Sequence, residues 1–165
     1  MKRRKNADRP LLIAVAVCIL AVVTMIIVLA IPQAPKMGTF TPPPFDAQVQ
    51  TGVPTVPQEL GWSELDAQAY KVSVCGVVQV TEDLADVWFT NPEGNTVWLK
   101  LRILDKNGNI LGESGIVKPG EYVQSVQLTQ VPASGTAITM KIMAYAPETY
   151  YSEGSVSLNT TITVK

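Results

Sequence analysis

The side chains that usually carry chemistry are few in this sequence and poorly spaced for it. Histidine is absent, which removes the commonest general base and the commonest metal ligand. Ser114 and Ser125 therefore have no imidazole to take their protons, and a serine triad is excluded. Glu82 and Asp83 are adjacent carboxylates in a turn-like stretch and read as a solvated loop. Asp105-Lys106-Asn107-Gly108-Asn109 has a faint look of a calcium loop. That loop needs glycine at its sixth position, where Ile110 stands, so a hairpin turn is the better reading. Asn159-Thr160-Thr161 spells a glycosylation sequon inside a strand-like stretch. Cys18 and Cys75 cannot make a disulfide framework, because one lies in an apolar run and the other in a β-patterned region. Cys75 reads as a small buried hydrophobe. No catalytic residue, metal ligand or cofactor follows from any of this, and the chain reads as a non-enzyme.

What remains is recognition chemistry. Trp98 lies on the outward side of a strand-like run, and Tyr145 lies outward on another, followed by Tyr150 and Tyr151. If the two runs are neighbours in one sheet, Trp98, Lys100, Arg102, Lys141, Met143 and Tyr145 share a face. Aromatic rings interspersed with cations are the composition of a binding surface. The competing account is that a preceding Pro-rich segment covers this face.

These residues need a scaffold. Residues 11–31 read LLIAVAVCILAVVTMIIVLAI, with Thr24 the one clearly polar side chain, and no charge occurs from Pro10 to Pro35. As a helix this run spans about 30 Å, the thickness of a bilayer core. Lys2, Arg3, Arg4, Lys5 and Arg9 precede it. By the positive-inside rule, residues 1–10 are a cytoplasmic tail and the C-terminal domain lies outside the cell membrane. The run is longer than the core of a cleavable signal peptide, which favours an uncleaved single-pass anchor in contact with membrane lipid through residues 11–31, although Val28-Leu29-Ala30 is a weak cleavage site.

Residues 32–61 form a Pro-rich linker. Seven of the twelve prolines fall there, and proline supplies no backbone donor, so an extended semi-rigid spacer is expected. Phe40, Phe45 and Val53 are more apolar than a spacer needs, so part of the linker is a candidate to lie along the domain. From residue 32 onward the chain carries 8 basic and 13 acidic side chains, a balance that argues against nucleic acid.

Residues 62–165 alternate with a period of two. Val72, Val74, Val78 and Val80 mark one strand, and Val87 and Phe89 a second. Residues 97–104 are the clearest, with Val97, Leu99, Leu101 and Ile103 on one side and Trp98, Lys100 and Arg102 on the other. Residues 110–113, 122–128, 136–145 and 155–164 complete seven, separated by turn chemistry at Asn91-Pro92-Glu93-Gly94-Asn95, Asp105–Gly108 and Pro119-Gly120. Short strands with one wet face pack as two sheets, so the expectation is an all-β, seven-stranded immunoglobulin-like sandwich preceded by one transmembrane helix, with a small barrel as its rival.

One further signal comes from particular residues. Asn91-Pro92, Asn95-Thr-Val-Trp-Leu-Lys-Leu-Arg, Asp105 to Gly108, Leu111-Gly-Glu-Ser-Gly, Lys118-Pro-Gly-Glu-Tyr and Ala144-Tyr-Ala-Pro-Glu-Thr-Tyr together resemble a group of small membrane-anchored surface proteins of Gram-positive bacteria. Those proteins have a signal anchor, a Pro-rich stalk and one immunoglobulin-like domain. The resemblance implies a cell-envelope location and no reaction. The functional expectation is thus a non-enzymatic cell-surface binding or assembly module whose partner is a protein or glycan. Two alternatives stand beside it. One is a carbohydrate-binding module using Trp98, Tyr145, Tyr150 and Tyr151. The other is an accessory subunit of an envelope secretion or transfer complex.

Overall fold

A computed structural model describes residues 8–30 and 40–165. The chain divides into two units, Met1–Thr41 and Pro42–Lys165.

The first unit holds one α-helix, α1 (Asp8–Ala30). Its side chains are described from 13 to 25, and all of them are exposed. Apart from Thr24 they are apolar or, at Cys18, a thiol. Thr24 turns its hydroxyl back onto the helix, 2.9 Å from the carbonyls of Leu20 and Ala21, so its polar group is satisfied locally. Thirteen helical residues cover about 20 Å, and among the described residues no helix is long and apolar enough to cross a membrane. Residues 1–7 of the basic tail and Ile31 of the apolar run lie outside the described residues.

The second unit is built from ten strands among the described residues: β1 (Gln50–Thr51), β2 (Ser63–Asp66), β3 (Lys71–Val74), β4 (Val78–Thr81), β5 (Leu84–Asn91), β6 (Trp98–Leu104), β7 (Ile110–Glu113), β8 (Glu121–Gln127), β9 (Ala137–Tyr145) and β10 (Ser152–Val164). The hydrogen-bonded order is β1-β8-β5-β4-β10-β9-β6-β7, with β2 and β3 branching from β5. The long strand β10 closes the arrangement. Over residues 152–161 it runs antiparallel to β9. At Ile162, Thr163 and Val164 it runs parallel to Val78, Gln79 and Val80 of β4. One strand thus passes from one layer into the other and the sheet curls on itself.

The expected alternation fills the space inside the curl. Val72, Val74, Val78, Val80, Val87 and Phe89 meet Leu99, Leu101, Ile103, Met140 and Ile142, all fully buried, with Ile162 buried where β10 crosses. Burying side chains of this size stabilises by about 1.5–3 kcal/mol each before entropy is counted.

The architecture differs from the seven expected strands in three places, one of them the unexpected strand β2, which pairs with β3. Residues 70–80 are two strands and not one, because the chain turns at Cys75-Gly76-Val77. The backbone N–H groups of Gly76 and Val77 both donate to the Leu60 carbonyl at 2.9 Å. The four valines still face the core, so the pattern gave the faces but concealed the break.

The third difference lies in residues 42–61, expected to continue the spacer. They run along the β unit. Ile116 N–H donates to the Pro44 carbonyl and Asp46 N–H to the Ile116 carbonyl, both at 2.9 Å. The Asp46 carboxylate accepts from Gly115 N–H at 2.7 Å. A Cβ on Gly115 would overlap the Asp46 backbone, so glycine is what permits this approach. Further along, β1 pairs with β8 and Leu60 is buried. Proline-rich backbone can lie on a sheet in this way because it needs few ladder bonds of its own.

Candidate functional site

The start of β6 is set by a buried amide. Asn91 is fully buried and its side-chain NH2 donates to the carbonyls of Val97 and Val117, each at 2.9 Å. Its side-chain oxygen accepts from Asn95 at 2.6 Å. The Asn91–Asn95 turn is thereby held on β6, and the parity of the strand follows from there.

The register of β6 against β9 pairs Trp98 with Tyr145, Lys100 with Met143 and Arg102 with Lys141. All six side chains therefore occupy one face of the sheet, opposite the core. On the other flank of β6, β7 brings Glu113 opposite Arg102. Its carboxylate accepts from the Lys100 ammonium at 2.8 Å and from Arg102 Nε at 2.9 Å. Burial alone would raise the Glu113 carboxyl, but hydrogen bonds and charge from Lys100 and Arg102 outweigh it and hold the group below its ordinary value.

The face is not uniformly open. Lys100 is only 5% exposed, and its charge is tolerated there because Glu113 neutralises it. Trp98 is half-buried, with Phe45 meeting it edge-on at 5.0 Å and 75° and Tyr150 at 5.3 Å and 68°. Lys118 places its ammonium 4.4 Å from the centre of the Phe45 ring. The segment 42–61 thus caps one end of the face through Phe45. Tyr150 comes from the loop after β9, where Tyr150 N–H donates to the Ala146 carbonyl and Ala146 N–H to that of Tyr151. Tyr145 is half-buried, its hydroxyl 3.7 Å from Met143 Sδ. Tyr151 is 75% exposed.

Of the seven residues singled out in the sequence, Trp98, Lys100, Arg102, Lys141 and Tyr145 lie side by side on two strands, and Tyr150 is drawn onto Trp98. Tyr151 is the most open of them. Sequence reasoning missed Glu113, Phe45 and Lys118. The hairpin around Asp105 carried a signal for Glu113, since it places 113 across from 102. The apolar character of Phe45 within a Pro-rich stretch was the trace of the cap.

The other chemistry-bearing residues are engaged structurally. Asp105 accepts from the backbone of Asn107 and Asn109 and from the Asn109 side chain, each at 2.8 Å, and these bonds hold its carboxyl below the usual range. Gly108 has φ of 84° there, as a tight turn requires. Ser114 is buried, accepting from Leu101 N–H and donating to the Gly115 carbonyl. The Cys75 thiol is buried and contacts the Asp86 carbonyl at 3.2 Å, and burial pushes its pKa up to about 12. Among the described residues no His, Cys, Asp and Glu side chains are grouped as metal ligands.

Two surface grooves, of about 310 and 370 Å3, lie elsewhere, where Asp66, Lys71 and Pro92 meet.

No family model matches the chain, and no curated protein does. Among solved structures the chain is similar to CopC from Methylosinus trichosporium OB3b, with 17% identity over 63% of this chain and 95% of that one and a TM-score of 0.36.

Proposed function

We propose that this protein is a cell-surface binding or assembly module without catalytic activity, held in the membrane by its N-terminal apolar helix and presenting an immunoglobulin-like β unit outside. The observation that carries the reading is the β6–β9 face, where Trp98, Arg102, Lys141 and Tyr145 stand together on two rigid strands with Tyr151 open beside them. Rigid aromatics and arginine dominate the energetics of protein interfaces. The anchor reading is supported by the charge-free run 11–31 after five basic residues and by the all-round apolar surface of the described part of α1. The immunoglobulin-like reading is supported by the passage of β10 between the two layers. The Gram-positive cell envelope fits the sequence resemblance and the absence of a disulfide pair.

A protein partner is favoured over a glycan. The rings around Trp98 meet it at 75° and 68°, which gives no flat row on which sugar rings could stack. The accessory-subunit reading is a special case of assembly and makes the same face the contact.

The test is site-specific photo-crosslinking of the full chain in intact cells. A photoreactive residue at Tyr151 or Lys141 should give discrete adducts, and one at Thr81, on the other layer, should not. Equal labelling at all three positions would remove this face as the contact. For the anchor, protease added outside intact cells should release the β unit and spare an N-terminal tag. The reverse pattern would overturn the orientation.

A further inference from the structure

A sheet that curls without closing leaves edges, and natural proteins guard them because unpaired N–H and C=O groups invite another strand. Among the described residues the edges of this unit are treated unequally. Beyond β7, Gly112 forms a bridge with Leu128, which closes that side. The edge strand β1 is two residues long. The edge strand β2 has four residues and carries Glu64 and Asp66, both exposed, so two copies brought together there would oppose carboxylates. β10 is guarded only at its start, where the exposed Glu153 sits in a bulge between Ser152 and Gly154. It is thirteen residues long, is paired with β9 on one side over 152–161, and reaches β4 only from Ile162. Near its far end the Thr160 hydroxyl donates to the Gly76 carbonyl at 2.6 Å. Among the described residues no other strand adjoins its second side from 152 to 159.

The side chains along this edge favour pairing. Residues 155–164 include no charge and no proline. Val156 and Leu158 are only half-buried, while their partners on β9, Ile142 and Met140, are fully buried. The apolar layer is thus incomplete at this edge, and one more strand would extend it. We propose that the strand is supplied by a second copy of this chain, β10 against β10, antiparallel about a two-fold axis at Ser157. That register sets Val156 opposite the other copy's Leu158 and Ser155 opposite Asn159, and the pairing stops short of the bulge at Glu153. Apolar meets apolar on the inner side, neutral polar meets neutral polar on the outer side, and no like charges face each other. A two-fold axis makes the contact isologous and self-limiting at two copies. It leaves the β6–β9 face of each copy outward, so the dimer would present two such faces.

The test uses the full chain in detergent micelles, with protein mass read by sedimentation. The native chain should run as a dimer at micromolar concentration. Ser157→Lys changes an exposed side chain and sets two ammonium groups opposite each other at the axis. It should halve the protein mass with no change in the unfolding midpoint. Glu64→Lys, at the other edge, should leave the dimer intact. A native monomer would overturn the proposal, as would a dimer that survives Ser157→Lys or dissociates equally with Glu64→Lys. If Ser157→Lys lowers the unfolding midpoint, a second measurement decides. On a Cys18→Ser background, Ser157→Cys should form an interchain disulfide in membranes under mild oxidant and Glu64→Cys should not. Failure of Ser157→Cys to cross-link, or equal cross-linking by Glu64→Cys, would overturn pairing through this edge.

Discussion

β6 and β10 look alike as text and differ as structure. Both alternate apolar and polar residues along their middle stretches, 99–103 in β6 and 155–159 in β10. In β6, Leu99, Leu101 and Ile103 are fully buried, because β9 and β7 flank the strand and the opposite layer covers it. In β10, Val156 and Leu158 are half-buried, because over that stretch the strand has one neighbour. Their outward faces differ in the opposite sense to expectation. Lys100 on β6 is nearly as buried as the core, while Ser155, Ser157 and Asn159 on β10 are open. Alternation therefore reports which way a side chain points and not how deep it lies. Depth depends on what other parts of the chain are laid on each side.

The largest test of this contrast is thiol accessibility. On a Cys18→Ser background, Ser157→Cys should react rapidly in the native protein. Cys75 is 0% exposed, with its pKa raised from 9.0 to about 12, so thiolate chemistry there should be at least about a thousandfold slower. Rapid labelling of native Cys75 would mean that β3 is misplaced.

Stability measurements sharpen the contrast further. All three tryptophans, Trp62, Trp88 and Trp98, lie in the β unit, so urea titration followed by fluorescence reads that unit within the full chain. Leu101→Ala on β6 should cost about 3 kcal/mol, the price of a cavity in a closed core. Trp98→Ala should cost about 2 kcal/mol, since two edge-to-face ring contacts are lost. Parity by itself would have put that cost near zero, and a null result would show that Phe45 does not seat on the ring in solution. Leu158→Ala should cost about 1 kcal/mol, because the half-buried edge can relax. A loss there equal to that at Leu101 would break the comparison.

The smallest expected effect is electrostatic. Glu113 is held below its ordinary 4.5, so its ion pairs add stability above that pH and lose it as pH falls through the lowered value. Glu113→Gln should therefore lower stability at neutral pH by up to about 1 kcal/mol: the carboxylate is 40% exposed and screened, but its loss leaves the buried Lys100 ammonium unpaired. The gap from the native chain should close in acid. A gap that widens in acid would mean that the carboxyl is protonated where it should be charged.

Much of the site was legible in the sequence because strand parity is local. Consecutive side chains on a pleated strand must point to opposite faces. Trp98, Lys100 and Arg102 were therefore separable from Leu99 and Leu101, and the pairing of β6 with β9 put Lys141 and Tyr145 beside them. The cap was harder to see. Phe45 lies 53 positions before Trp98 in the chain, and no periodicity links a proline-rich segment to the strand it covers. The break at Gly76 was equally hidden, since valines on both sides keep the same face through the turn.

By itself the sequence determined the β class of residues 62–165, the inward and outward faces of its principal strands, the hairpin at Asp105 and the charge-free run near the N-terminus. Each of these follows from neighbours a few residues apart. The tertiary structure alone decided the path of residues 42–61 along the unit, the burial of Lys100 against Glu113, and the crossing of β10 from β9 to β4. It also decided that β10 is left with an open edge. These depend on contacts between distant segments, whose energies favour one register only once the whole sheet is assembled.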